Sequence, residues 1–280
     1  MSARIHAFAA KTPRAPSQDA WDALSAQERE RVVAALPSDA LDGEMALPDG
    51  MPHMDPKIEA AVTLREFYKR IRRSVLVAVD LMVYYPGETR FSPDLLAVCD
   101  VETHPRDKWV VSAEGRGLDF ALEILVKGDP AKDLADNVVT FARLGIPEYF
   151  VFDRRGPRLL GFRLPGKGRT YQPIVPQLGI LQSEVLGLGL AIPGGELRFF
   201  RDGAPLPGHE ELLERVQRLA NEAVAAAERR AEEEAAARQQ EAAARQQEAA
   251  ARQQEAKARA EAEQRAAELS AELEKLRRKT

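Results

Sequence analysis

The chain of 280 residues holds a single cysteine, Cys99. An intrachain disulfide is therefore impossible, and a reducing, cytoplasmic setting is the expectation. The four histidines, His6, His53, His104 and His209, are scattered, and no His/Cys pair has zinc-ligand spacing. There is no Walker loop, no GxGxxG and no GxSxG, which removes the usual phosphate-cradling and serine-hydrolase readings. The residues from Met1 to Lys11 contain no long apolar run, so no signal peptide is expected. Nowhere do about 18 apolar residues run together, so no membrane partner is expected either. Positive charge is not in excess, because the net charge is −4 at pH 7. That argues against a constitutive DNA binder and leaves room for an enzyme with a local basic groove.

What is present falls into two compositions. From about Gly208 onward the chain is nearly all Ala, Glu, Arg, Gln and Leu. The expected organisation is a flexible N-terminus over 1–16, one globular domain over 17–205 and a long helix over 206–280. In the tail, Glu-Ala-Ala-Ala-Arg-Gln-Gln occurs at 241–247 and again at 248–254. A seven-residue repeat of strong helix formers predicts one long helix. Glu234–Arg238, Glu241–Arg245, Glu248–Arg252 and Glu255–Arg259 are Glu-to-Arg pairs at helical spacing, each contributing about 0.2–0.5 kcal/mol. Apolar seams occur only at the ends, at Leu212, Val216, Leu219 and Ala223 and at Leu269, Leu273 and Leu276. Two readings stand: a self-associating coiled coil that makes a homo-oligomer, or a solitary solvated helix.

The globular part is organised around Gly117–Lys127, which predicts a buried strand. Leu118, Phe120, Leu122, Ile124 and Val126 share one face; Ala121, Glu123 and Leu125 share the other. An ionised carboxylate buried without a partner costs several kcal/mol or more, so Glu123 must be protonated, paired or bound to a cation. Asp129-Pro130 is a strong helix start, Gly145 with Pro147 a helix stop, and Glu148–Asp153 an apolar strand. Strand, helix, strand with short connections predicts a parallel pair with a right-handed crossover.

Before this unit, one helix is expected from Ser17 or Asp19 to Pro37, a turn and short strand over Leu41–Leu47, a turn at Asp49–Pro52, and a second helix opened by Pro56. The basic end of that second helix, Lys69, Arg70, Arg72 and Arg73, suits the helix dipole or a phosphate patch. Ser74–Tyr85 predicts one strand, Arg90–Cys99 the next, and Trp109–Val111 a short edge strand. After it, Arg158–Leu164, Arg169–Pro173 and Leu178–Phe200 add short strands, giving an α/β core with a mixed sheet. Arg143 and Glu148 read as surface residues, Asp153 as a turn former, and Trp21 and Trp109 as packing residues.

Two carboxylates stand out for chemistry, Asp94 after Pro93 at a strand start and Glu123 inside the next long strand. Such a pair can hold Mg²⁺, a hard cation that takes oxygen ligands and keeps water. Without a cation, Asp94 is a turn residue after proline, and Glu123 is paired to an arginine or hydrogen-bonded within the sheet. Lys127 shares a strand face with Glu123, about 13 Å along at ~3.3 Å per residue. Lys132, in the first helical turn, has a long stem that can reach back.

Pro93-Asp94, the strand with Glu123, the following helix and Leu144-Gly145-Ile146-Pro147-Glu148-Tyr149-Phe150-Val151-Phe152-Asp153 resemble the Uma-type putative restriction endonucleases of the PD-(D/E)xK nuclease superfamily. Leu41-Asp42-Gly43-Glu44, with His53 after it, resembles that family's N-terminal segment. The resemblance covers residues 20–200 and leaves out the tail. It implies a restriction-endonuclease-like mixed β-sheet flanked by helices, and an endonuclease that hydrolyses DNA with Mg²⁺ (or Mn²⁺). On that likeness Asp94 and Glu123 are metal ligands, Glu44 assists, and Lys127 or Lys132 fills the basic role. The departures are Leu125 where the superfamily motif has lysine, Asn137 where this family's helix carries it four residues after Asp133, Phe141 for tyrosine and Val126 for serine. The missing lysines at 125 and 137 favour the alternative, a catalytically silent nuclease fold used for binding or assembly through its coiled-coil tail, and the retained pair of acids opposes it.

Overall fold

The computed structural model of the chain describes residues 13–39, 50–127, 130–166 and 168–277. Glu44, the Leu41–Leu47 segment and the helix start at Asp129 lie outside the described residues. The chain divides into two compact units, Met1–Leu212 and Leu213–Thr280. Among the described residues no helix is long and apolar enough to cross a membrane.

The first unit begins with two helices, α1 (Gln18–Asp22) and α2 (Ala26–Ala35), where one was expected. Ser25 explains the break. Its side chain accepts from the Glu28 amide while Glu28 accepts from the Ser25 amide at 2.9 Å, a reciprocal cap that restarts the helix.

The next helix, α3 (Met51–Ile71), starts a full turn before Pro56. Pro52 sits in its first turn, where no amide is needed. Pro56 lies inside and leaves the Pro52 carbonyl without its i+4 donor. The Arg154 guanidinium donates to that carbonyl instead. The extra turn matters, because it puts His53 on the helix, four residues before Lys57 and on the same face.

The stretch expected as one strand is two, β1 (Val75–Val79) and β2 (Met82–Tyr84). Asp80, at φ +50°, turns the chain between them. The halves join different sheets. β1 pairs antiparallel with β3 (Leu95–Cys99), while β2 pairs parallel with β4 (Lys108–Val110). A short helix, α4 (Val111–Glu114), follows β4.

β5 (Phe120–Leu125) is buried along its whole length. It pairs antiparallel with β3 (Leu95 opposite Leu122) and parallel with β6 (Glu148–Asp153), with Glu123 opposite Val151. A π-helical turn, Lys132–Asp136, and α5 (Asn137–Leu144) connect β5 to β6. Gly145, left-handed at φ +79°, ends α5 as expected. Widened π turns are rare and concentrate at functional sites. β7 (Arg158–Arg163) and β8 (Gln172–Pro173) complete a six-stranded mixed sheet in the order β1-β3-β5-β6-β7-β8. β9 (Leu181–Ser183), β10 (Leu188–Ala191), β11 (Arg198–Arg201) and β12 (Ala204–Pro205) form a second, antiparallel sheet.

Period-two alternation sorts the main sheet into two cores. Val77, Leu95, Leu122, Ile124 and Phe150 pack on α3 and the second sheet. Leu96, Ala121, Tyr149 and Val151 pack on α5, β2 and Trp109. Glu123 shares the second face. Glu148, expected on the surface, is instead buried, paired with Arg163 at 2.7 Å and accepting from the Glu184 amide at 2.9 Å. The strand register puts Glu148 opposite Arg163, so a charge is tolerated at a buried strand start.

The second unit belongs to one helix, α6 (His209–Arg277). Glu234–Arg238, Glu241–Arg245 and Glu248–Arg252 pair as expected, while Arg259 turns to Glu263 at 3.1 Å rather than to Glu255.

Gly161 faces Phe150 across β6 and β7, and a Cβ there would stand 2.8 Å from the Phe150 ring. Gly161→Ala is expected to destabilise the first unit by about 1–3 kcal/mol through overpacking. Denaturant titration measures it; an unchanged midpoint would contradict this packing.

Candidate active site

Asp94 and Glu123 meet where the β3–β5 ladder runs out. Beyond the Leu95–Leu122 pair, side chains replace the missing rungs. The Asp94 amide donates to Glu123 Oε2 at 3.3 Å, and the Ile124 amide donates to Asp94 Oδ2 at 2.6 Å. Both carboxylates are buried, at 8% and 5% exposure. The two acids picked out in the sequence therefore share one corner of the sheet.

Two side chains from α3 close on Asp94. His53 Nε2 lies 2.9 Å from Oδ2, and Lys57 Nζ lies 2.7 Å from Oδ1. Lys57 also donates to Asp80 Oδ1 at 2.8 Å, which places the left-handed residue between β1 and β2. Burial opposes the charge on Lys57, but the Asp94 and Asp80 carboxylates more than offset it and raise its pKa. Burial also works against the Asp94 anion, yet the His53 and Lys57 contacts win and hold its pKa below the ordinary value.

Among the described residues no cation pairs with Glu123 in this way. Asn137, from the first turn of α5, donates to Glu123 Oε1 at 3.3 Å and to Asp133 Oδ1 at 3.1 Å. Asp133 comes from the π turn, whose Asp133 carbonyl accepts from the Tyr149 hydroxyl at 2.9 Å. Burial pushes the Glu123 carboxyl well above its ordinary pKa, and the fields of Asp94 and Asp133 push it further. Asp133 is raised too, first by burial, with Lys132 pulling the other way. With Glu123 and Asp133 ionised, the corner would hold more negative charge than Lys57 and the other described cations offset, and burial favours their protonated forms.

The lysines expected to serve the acids sit outside. Lys127 is exposed just past β5, and no ion pair joins it to the acids among the described residues. Lys132 is exposed, with Nζ 4.0 Å from Asp133 Oδ1. The lysine that touches an acid is Lys57, which sequence reasoning passed over. A readable signal existed: His53 and Lys57 are four apart, one helical turn, if the helix starts before Pro56. Asp153 is buried, held by Arg155 at 2.9 Å and Arg158 at 3.0 Å.

The family described as Uma2, putative restriction endonuclease, matches residues 36–194, over half of the chain. The chain belongs to this family. Among solved structures it is similar to a putative nuclease belonging to DUF820 from Anabaena variabilis ATCC 29413, with 12% identity and a TM-score of 0.40, covering 51% of this chain and 77% of that one. No curated protein matches. The Uma2 match takes in both β-strand acids, Asp133, Asn137 and the α3 pair His53 and Lys57, so the whole described corner lies inside the family's span.

Lys57→Met is expected to lower stability by roughly 3 kcal/mol or more, because it leaves Asp94 buried without its cation. Chemical unfolding checks it, and a neutral result would show the pair to be dispensable. Glu123→Gln should act in the opposite sense. Because the folded pKa is raised, the native state binds the extra proton. The stability this confers is complete below the ordinary glutamate value and drains away as pH rises through the folded value. Glutamine cannot ionise, so in chelator the variant's advantage in Tm over the wild type should widen from pH 5 to pH 8. A constant difference across that range would mean that Glu123 does not titrate there.

Proposed function

We propose that the protein is a divalent-cation-dependent nuclease that hydrolyses DNA phosphodiester bonds at the Asp94–Glu123 corner. The observation that carries this is the meeting of Asp94, Glu123 and Asp133 in one buried place with Glu123 left uncompensated. The donor chemistry fits a hard cation such as Mg²⁺ or Mn²⁺. The carboxylate oxygens of Asp94 and Glu123 are the hard donors, with His53 Nε2 the nitrogen beside them. Among the described residues no group of three His, Cys, Asp or Glu side chains is placed to hold a metal ion, so water would have to fill the remaining positions. Two carboxylates with water suit such an ion.

Asp94 and Glu123 would hold it, and Glu123 would give up its proton on binding. When bound, the ion supplies Lewis acidity toward a phosphate oxygen and toward water. Lys57, kept protonated by two carboxylates, serves as a fixed positive charge and not as a base. His53 fixes the Asp94 Oδ2 edge. Lys132 is the exposed cation nearest Asp133, Lys127 stands at the strand end, and Glu44 keeps its assisting role from the family likeness. The helical second unit exposes Val216, Leu219, Leu269 and Leu273, which supports self-association as a coiled coil.

Two observations favour a silent nuclease fold instead. The Lys57 ammonium already sits on Asp94, and Asn137 stands at the family's lysine position. Plasmid nicking with Mg²⁺ or Mn²⁺, run beside thermal melting, separates the two. The nuclease reading expects nicking that falls at least about a hundredfold in Glu123→Gln, beyond the 10–100-fold of an outer-shell partner. It also expects a cation-dependent rise in Tm that the variant lacks. No nicking together with a Tm indifferent to either cation would establish the silent reading.

A further inference from the structure

β5 and β6 run parallel and end together, Leu125 opposite Asp153, so the turn after β6 lies beside the acid corner. That turn is Arg154-Arg155-Gly156-Pro157, and Arg158 opens β7 directly after it. The turn is stapled to both elements that build the corner. The Arg154 amide donates to the Leu125 carbonyl at 2.9 Å, and the Arg154 guanidinium donates to the Pro52 carbonyl, one residue before His53.

Asp153 organises the other two guanidiniums. Arg155 donates to both its oxygens, at 2.9 and 3.0 Å, and Arg158 Nε donates to Oδ2 at 3.1 Å. The Asp153 side chain is only 4% exposed, while those of Arg155 and Arg158 are 34% and 52% exposed. These bonds hold the Asp153 carboxyl at about 2, so it stays an anion. One buried carboxylate thus serves two guanidiniums while the third, on Arg154, binds an uncharged carbonyl, so positive charge is left over toward solvent. The field of Arg155 reaches Asp133 in the acid corner, as does that of Lys132. The other basic cluster is differently placed. Lys69 and Arg73 lie toward the far end of α3, beside Glu66 and Asp100, about 18 Å or more along the helix from Lys57 at 1.5 Å per residue.

We propose that Arg154, Arg155 and Arg158 form the clamp for the DNA backbone next to the acid corner. The proposal rests on the nuclease reading for its ligand and adds the surface that holds it. A polyanion cannot approach buried acids without compensation, and a guanidinium fork already fixed by a buried carboxylate offers its remaining N–H groups to phosphate at little ordering cost. Backbone contacts of this kind give affinity without sequence preference.

The test is binding of a fluorescent duplex oligonucleotide to the full chain, with Ca²⁺ replacing Mg²⁺, over a salt series. Arg154→Gln and Arg158→Gln should each weaken binding to the same degree on unrelated sequences. Each should also make log K against log salt shallower by about one for every phosphate no longer held. Arg154→Lys should restore most of the slope, and Lys69→Gln should leave it unchanged. Melting of each variant shows that the fold persists; Arg154 holds no carboxylate, so its variant carries the test if Arg158→Gln unfolds. Wild-type slopes in both glutamine variants, or an equal loss in Lys69→Gln, overturn the clamp, as does a wild type that binds no duplex. Glu123→Gln should still bind. A chain that binds through the turn but does not nick plasmid sinks the nuclease reading alone, and one that nicks with unaltered slopes sinks the clamp alone.

Discussion

Lys57 and Asp94 carry opposite charges, at 2.7 Å, in a place where neither side chain is more than 12% exposed. Neither could be buried there alone. Lys57 rides on α3, Asp94 stands at the head of β3, and Asp80, the second partner of Lys57, sits at the break between β1 and β2. One ammonium therefore fixes the relation of a helix to three strands. Apolar packing of Ala60, Ala61, Leu64 and Phe67 brings α3 to the sheet, but a greasy face can slide. A doubly bonded ammonium cannot slide without exposing an unpaired charge. The register of the acid corner, and with it the place of Glu123, follows from that restriction.

The same pairing explains why Glu123 is the unsettled member. Lys57 and His53 both bond Asp94, and Lys57 bonds Asp80 as well. Asn137, whose amide donates without bringing charge, is the side chain that reaches Glu123. An amide satisfies an acceptor but does not offset the cost of a buried anion near two others. The corner is thus stable when Glu123 carries a proton and strained when it does not. Anything that replaces the proton with more positive charge gains the difference.

The central strand, the crossover helix, the parallel return strand and the long tail helix were legible because each is announced locally. β5 has alternation across a fully buried run, α5 a glycine stop, and the tail a repeat of helix formers. Glu123 was legible for the same reason, as a charge in an apolar run, and Asp94 as the acid that follows Pro93 at a strand start. What escaped was set by contacts distant in sequence. The β1–β2 break depends on Asp80 and on two sheets that claim the halves. The early start of α3 depends on Arg154 accepting the task of the missing Pro56 amide, about a hundred residues away in the chain. Glu148 looked like surface because Arg163 and the Glu184 amide, which make its burial tolerable, come later in the chain. Lys57 was hidden twice, first by a helix start placed too late and then by the expectation that a working lysine follows the glutamate.

Net charge was the least informative quantity of all. A chain at −4 gives no sign of polyanion binding, yet the total is dominated by residues that cancel one another. In the tail, glutamates and arginines pair along one helix, and on the first unit Arg143 pairs with Glu88 and Arg106 with Glu114. Such pairs contribute nothing to a field a few Debye lengths away and little to one nearby. The turn after β6 departs from this balance because Asp153 is shared between two guanidiniums while a third is tied to a carbonyl, which carries no charge. Local imbalance of this kind survives any value of the sum. It also lies beside the acid corner, where β5 and β6 end together, so charge of both signs is left locally unbalanced at one end of the sheet.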